Sequence, residues 1–193
     1  DMVKGYKESG DWSGFHQVQL MCSRDLKDWQ RLGERKPFID SSKLGSGAYD
    51  LACVLPPSFP IVHDDELWFY YTGGMNYGLA LNKGVDADAF AVCLAVLRRD
   101  GFISLDAGEV PGTIATVPFI MPDGALWVNV DAYGGELRVE VLTDGGEVLA
   151  VSEVISGDHP RRALRWERGD LERIRGKEVS LRFTLKKGSF YAW

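Results

Sequence analysis

Apolar and polar positions alternate along most of the chain, and the alternation predicts β-strands joined by tight turns. The clearest unit runs from Glu66 to Leu105. Leu67 to Thr72 reads as a buried strand ending in the Gly73-Gly74 turn, and Phe90 to Leu97 as a second strand. Arg98-Arg99-Asp100-Gly101 reads as a hairpin turn, with Phe102 to Leu105 opening the returning strand. Upstream, Val18, Leu20 and Cys22 face one way and Gln17, Gln19 and Met21 the other. That predicts a strand over 16–22, a polar turn from Ser23 to Trp29, and a return at Gln30-Arg31-Leu32. Pro37 to Gly47 is loop by composition, and Ala48 to Leu55 a strand stopped by Pro56-Pro57. Pro60-Ile61-Val62 then leads through His63-Asp64-Asp65-Glu66 into the Leu67 strand.

The texture changes after Leu105. Asp106-Ala107-Gly108-Glu109 is a hinge candidate. Strand patterns follow at Ala125 to Asp131 and Glu136 to Leu142, and Asp144-Gly145-Gly146 turns the latter into Glu147 to Val151. Val179 to Leu185 is expected to turn at Lys186-Lys187-Gly188 into Ser189 to Trp193. Strict alternation with short hairpins predicts an antiparallel sandwich. Asp170 to Ile174 suits one short helical turn, and His159-Pro160-Arg161-Arg162 a solvated loop.

Composition agrees with an all-β chain. Of 193 residues 45% are hydrophobic and 11% aromatic, and 22 are Gly, enough for a packed core and many tight turns. The net charge of -6 argues against nucleic acid as a partner, because a phosphate backbone needs a basic footprint. No apolar run approaches the ~18 residues of a membrane span. Cys22, Cys53 and Cys93 form no paired or metal-binding spacing; Cys22 and Cys93 are expected as buried free thiols. No cofactor motif is present: the Gly-Gly pairs at 73–74, 134–135 and 145–146 serve turns, and Asp86-Ala87-Asp88 lacks the third acid and the glycine of a calcium loop. Nothing resembles a signal peptide, and Asp1 to Tyr6 reads as a cut into a longer chain.

Arg24-Asp25 and Arg99-Asp100 each follow an apolar strand and precede a short returning one. An Asp in such a turn accepts hydrogen bonds from nearby amides. Their separation of about 75 residues exceeds the usual propeller repeat. The turn Ser23-Arg24-Asp25-x-x-x-Trp29, the strand Glu66-Leu67-Trp68-Phe69-Tyr70-Tyr71-Thr72-Gly73-Gly74 and the sandwich pattern behind them resemble the C-terminal part of five-bladed-propeller glycoside hydrolases. These are the clan of invertase- and fructanase-like and arabinanase-like enzymes. The resemblance implies antiparallel propeller-type blades over 1–105, the last two of five, followed by a C-terminal β-sandwich over 106–193. It implies an oligosaccharide or polysaccharide as ligand, and the missing blades, or self-association through blade edges, as partner.

The family's Asn-Asp-Pro-Asn, Arg-Asp-Pro and Glu-Cys elements are absent. Hydrolysis needs two carboxyl groups facing one bond, roughly 5–9.5 Å apart, so the main catalytic set is expected outside this chain. By the same resemblance, Trp12, His16, Asp50, Asn76 and Tyr77 face the substrate groove, with Asp50 the one carboxylate candidate for catalysis. Asp50 reads equally as a turn residue after Tyr49, His16 as a structural histidine, and Trp12 and Tyr77 as aromatics packed over loops. Arg24, Asp25, Arg99 and Asp100 fall at the opposite rim and close turns. Trp68, Tyr70 and Tyr71 read as core. The alternative function is a non-catalytic carbohydrate-binding or structural β-sandwich module.

Overall fold

The computed structural model describes residues 16–43, 45–75 and 89–193. The expected all-β class holds. The chain forms two compact units, divided between Leu97 and Arg98.

In the first unit, β1 (Val18–Gln19) pairs antiparallel with β4 (Pro37–Ile39), and β2 (Met21–Cys22) with β3 (Gln30–Arg31). The strand expected over 16–22 is thus two short pieces serving two ribbons. Residues 37–39, read as loop, are strand, because Phe38 and Ile39 have a core to face. The turn between β2 and β3 closes as expected: the Asp25 carboxylate accepts from the amides of Lys27 and Asp28, both at 2.9 Å. Cys22 is exposed, since its strand ends at the unit's surface.

The larger sheet centres on β7 (Glu66–Gly74), flanked by β5 (Cys53–Leu55), β6 (Ile61–His63) and β8 (Phe90–Arg98). β5 and β6 lie along one side of β7, separated by the prolines at 56, 57 and 60. Proline has no amide to give a ladder, so this edge is broken there. Period two sorts β7: Leu67, Phe69 and Tyr71 are buried with Val54 and Ile39, while Trp68 is half-buried and Tyr70 exposed. Trp68 and Tyr70 are therefore not core. Trp68 instead stacks on His63, ring centroids 4.2 Å apart, and donates to Glu66 at 2.7 Å. β8 turns Cys93, Ala95 and Leu97 toward the core and presents Val92, Leu94 and Val96 outward.

The second unit is one nine-stranded sheet, among the described residues, that nearly closes on itself. Its spine is β12 (Trp127–Leu142), sixteen residues long. Sequence alternation shows two patterns here, 125–131 and 136–142, and the reason is a change of phase. Val128, Val130 and Ala132 point inward before the corner, and Leu137, Val139 and Val141 after it. Leu137 lies five positions after Ala132, an odd step where period two needs an even one, so Tyr133 to Glu136 form a corner. The neighbours bend with it. β16 (Glu178–Lys186) and β17 (Gly188–Ala192) both run antiparallel to β12, the first beyond the corner and the second before it. Lys186-Lys187-Gly188 is therefore no hairpin. It is a bulge at Lys187, φ 50°, in one continuous bent strand.

On the other side of β12, β13 (Val148–Ser152) and β14 (Ile155–Ala163) repeat the arrangement. The buried Ser152 hydroxyl serves the interruption between them, accepting from the Val139 amide at 2.9 Å and donating to the Glu153 carbonyl at 2.8 Å. A side chain thus satisfies a backbone donor that the broken ladder leaves over. Residues 159–162, read as loop, lie inside β14. The hairpin at Asp144-Gly145-Gly146 forms as expected, with Leu142 opposite Val148. Residues 171–173 make the expected helical turn, capped by Asp170 on the Glu172 amide.

β9 (Leu105–Ala107) pairs with β17, and β10 (Gly112–Ala115) and β11 (Phe119–Ile120) with β16; β15 (Trp166–Arg168) pairs with β13. Two expectations are corrected here. The tight turn at Arg98 to Gly101 exists, with the Gly101 amide on the Arg98 carbonyl at 3.0 Å. Yet 102–104 form no strand returning along β8, because Leu105–Ala107 finds its partner in β17. For the same reason 106–107 are ladder rather than hinge. The two layers expected of a sandwich are the two halves of this one folded sheet, and both line a single core around Leu137, Leu181 and Phe183.

Candidate functional sites

In the first unit, Asp50 precedes β5 and is 8% exposed. Its Oδ2 accepts from the Tyr71 hydroxyl at 2.7 Å, and its carbonyl from the Ser42 amide at 3.1 Å. Burial alone would raise the Asp50 carboxyl, but hydrogen bonds from the Ser42 and Tyr71 side chains and its own amide hold it below the ordinary 3.8. Burial first, and then the Asp50 carboxylate, push the Tyr71 phenol up. Gly73 makes the approach possible: a Cβ there would stand 2.9 Å from both Asp50 Cβ and Cys93 Sγ. The carboxylate is thereby fixed as an acceptor that ties Ser42 and the start of β5 to β7. Among the described residues, none of the groups shifting it is a second carboxylate.

A carboxyl depressed by folding contributes stability above its unfolded value, and that contribution is lost as pH falls through the folded value. Asp50→Asn is expected to be less stable than wild type at neutral pH and to lose less on acidification below about pH 4. Denaturant titrations at several pH values, read by near-ultraviolet circular dichroism, check it; equal acid slopes would detach Asp50 from the effect.

His16 stands beside β5. Its amide donates to the Ala52 carbonyl at 3.2 Å, and its carbonyl accepts from the Val54 amide at 3.0 Å. The exposed ring brings Nδ1 to 3.2 Å from Cys53 Sγ. A histidine beside a cysteine suggests a nucleophile and its base. Burial, however, pushes the Cys53 thiol up, the reverse of what a thiolate nucleophile requires. Asp50 and His16 thus meet the same end of β5. Trp12, Asn76 and Tyr77 lie outside the described residues, as do Asp86 and Asp88.

A second site lies wholly in the second unit. Trp127 and Asn129 on β12 alternate with the inward Val128 and Val130, so both turn away from the core. β14 supplies Arg161 on one side, and Trp193 follows β17 on the other. The Arg99-Asp100 turn forms the rim of a cleft of about 270 Å³. The Arg161 guanidinium lies 4.8 Å from the centroid of the Trp127 ring. Trp193 packs against Phe119 and Phe183, with centroids 5.1 and 6.1 Å away. Even so Trp127 is 44% exposed and Trp193 50%.

Asn129 fastens the rim. It is 4% exposed, accepts from Arg98 Nε at 2.8 Å, and donates to the Arg99 carbonyl at 2.5 Å. Arg98 also reaches Asp158 at 2.7 Å and lies 4.7 Å from the Tyr191 ring centroid; among the described residues its buried Nη2 has no hydrogen-bond partner. Sequence reasoning misses this cleft. Trp127 and Asn129 sit in what reads as ordinary alternation, and Arg161 in what reads as a solvated loop. The available signal is a tryptophan and an asparagine on the polar phase of a strand whose other phase is all aliphatic.

Among the described residues, no three His, Cys, Asp or Glu side chains converge as a metal site, and no helix is long and apolar enough to cross a membrane. No family model, curated protein or solved structure matches the chain.

Proposed function

We propose that this chain binds carbohydrate through the second unit, as the binding part of a carbohydrate-active, glycoside hydrolase-like protein. The observation that carries the reading is the cleft with two half-exposed indoles on its walls. Pyranose faces are lined with C–H bonds and match an aromatic plane, while hydroxyls at the ring's edge take hydrogen bonds from charged side chains. Arg161, Arg99 and Asp100 stand where such bonds are needed. Two of the walls are strands of a packed sheet, which keeps a site in register better than free loops do.

Hydrolysis by paired carboxylates belongs to this proposal as the work of a longer protein. The strand at 66–74 and the turn at 23–29 support it as the places where the resemblance falls. Among the described residues Asp50 has hydroxyl donors for partners and no second carboxylate shifting it, and the part proposed for this chain is binding.

Calorimetric titration with a panel of oligosaccharides tests the reading. Wild type and Asp50→Ala are expected to bind alike, and Trp127→Ala to bind at least about tenfold more weakly, as for removal of an aromatic anchor. Loss with Asp50→Ala and not with Trp127→Ala would move the site to Asp50 and His16 at the start of β5. No heat with any saccharide would end the proposal.

A further inference from the structure

We infer that the sugar taken by the Trp127–Trp193 cleft carries a carboxylate, and that Arg161 is the group that reads it. The inference rests on the sugar-binding proposal and adds the ligand's charge. Arg98 is committed to Asp158 and Asn129. Arg99 has the Asp100 carboxylate 3.9 Å from its Nε, so these two offset each other. Arg161 is different: among the described residues its place is defined by the Trp127 indole it lies over and by no ion pair. Among the described residues, Arg161 therefore brings to the cleft a positive charge that no carboxylate offsets, in a chain whose net charge is -6.

The identity of the cation matters as much as its charge. A guanidinium lying against an aromatic face holds its plane and keeps N–H donors along its edge. Two parallel N–H bonds from such an edge match the two oxygens of a carboxylate, a geometry that a lysine ammonium does not offer. In a uronic acid the ring carboxylate projects from the rim while the ring face stays free to stack. One ligand can then use the open indole surface and the Arg161 edge together. The cleft volume of about 270 Å³ lies at the lower end of ordinary ligand sites, which suits one or two rings.

The test compares trigalacturonic acid with its fully methyl-esterified form, in titrations read by calorimetry and by tryptophan fluorescence. The two probes share the same rings and differ in charge. The acid is expected to bind at least about tenfold more tightly at low salt, and the difference to shrink as salt rises. Arg161→Gln is expected to abolish the preference, weakening the acid by at least about tenfold and the ester by much less. Arg161→Lys is expected to restore only part of it, since charge returns without the fork. Equal affinity for acid and ester overturns the inference and leaves the sugar-binding proposal standing. A preference for the acid that survives in Arg161→Gln also overturns it. Failure of both probes, when neutral oligosaccharides do bind, overturns the carboxylate alone; failure of every saccharide removes the proposal beneath it as well.

Discussion

Gly135→Ala is expected to cost the second unit about 3 kcal/mol or more, the upper range for overpacking. A Cβ on Gly135 would stand 2.1 Å from the Lys186 carbonyl oxygen and 2.0 Å from that of Lys187. Those atoms are backbone and cannot swing aside as a side chain would. They also belong to the strand that must bend with β12, so relief requires opening the corner itself. Opening it separates Leu137 and Val139 from Phe183 and Leu185 on the neighbouring strand. The control is Gly108→Ala. Gly108 borders the same corner, its carbonyl accepting from the Lys187 amide at 2.8 Å, but a Cβ there meets nothing within 4 Å. It is expected to stay within about 0.5 kcal/mol of wild type. Denaturant midpoints of the three proteins decide; equal midpoints would mean the corner gives more readily than its packing implies.

Asn129→Ala is expected to cost about 3 kcal/mol. The side chain does two things from one buried position: its oxygen takes Arg98 Nε and its nitrogen holds the Arg99 carbonyl. Truncation leaves a carbonyl and a guanidinium N–H unpaired together, beside an Arg98 Nη2 that already lacks a partner. Arg98 retains Asp158, which limits the loss. A double-mutant cycle isolates the coupling. Arg98→Met with Asn129→Ala should cost less than the sum of the two single changes, because the first removes the charge that the second would strand. Strict additivity would show that Asn129 acts through the Arg99 carbonyl alone.

Much of the secondary structure is legible in the sequence because period two survives wherever one face of a strand meets a core. Glu66–Gly74 and Phe90–Arg98 appear nearly as read, and so does the Asp144-Gly145-Gly146 hairpin. What misleads is continuity. At Tyr133 to Glu136 and at Lys187 the alternation skips a beat. A skipped beat looks the same in sequence whether the chain reverses or merely bends. Lys186-Lys187-Gly188 has the composition of a turn, and only the pairing of both flanks with β12 shows that it is none. Pro37 to Ile39 and His159 to Arg162 mislead for another reason, since proline and charge suggest a loop while a neighbouring strand supplies the ladder.

The sites divide in the same way. Asp50 stands out in sequence as a carboxylate at a strand's start, but its partners, Ser42 and Tyr71, come from elsewhere in the unit. The cleft residues Arg99, Trp127, Arg161 and Trp193 come from four separate stretches. No spacing announces them; only the side-by-side order of β17, β12 and β14 does.

That order has a mechanical consequence. Each strand bearing a cleft residue continues past the corner, directly or through one bulge, into the far half of the sheet. A long polymer tugging on a ring seated against Trp127 would load covalent backbone from one wall to the other. Tension would be shared along whole strands and their ladders, instead of peeling one layer away from its neighbour.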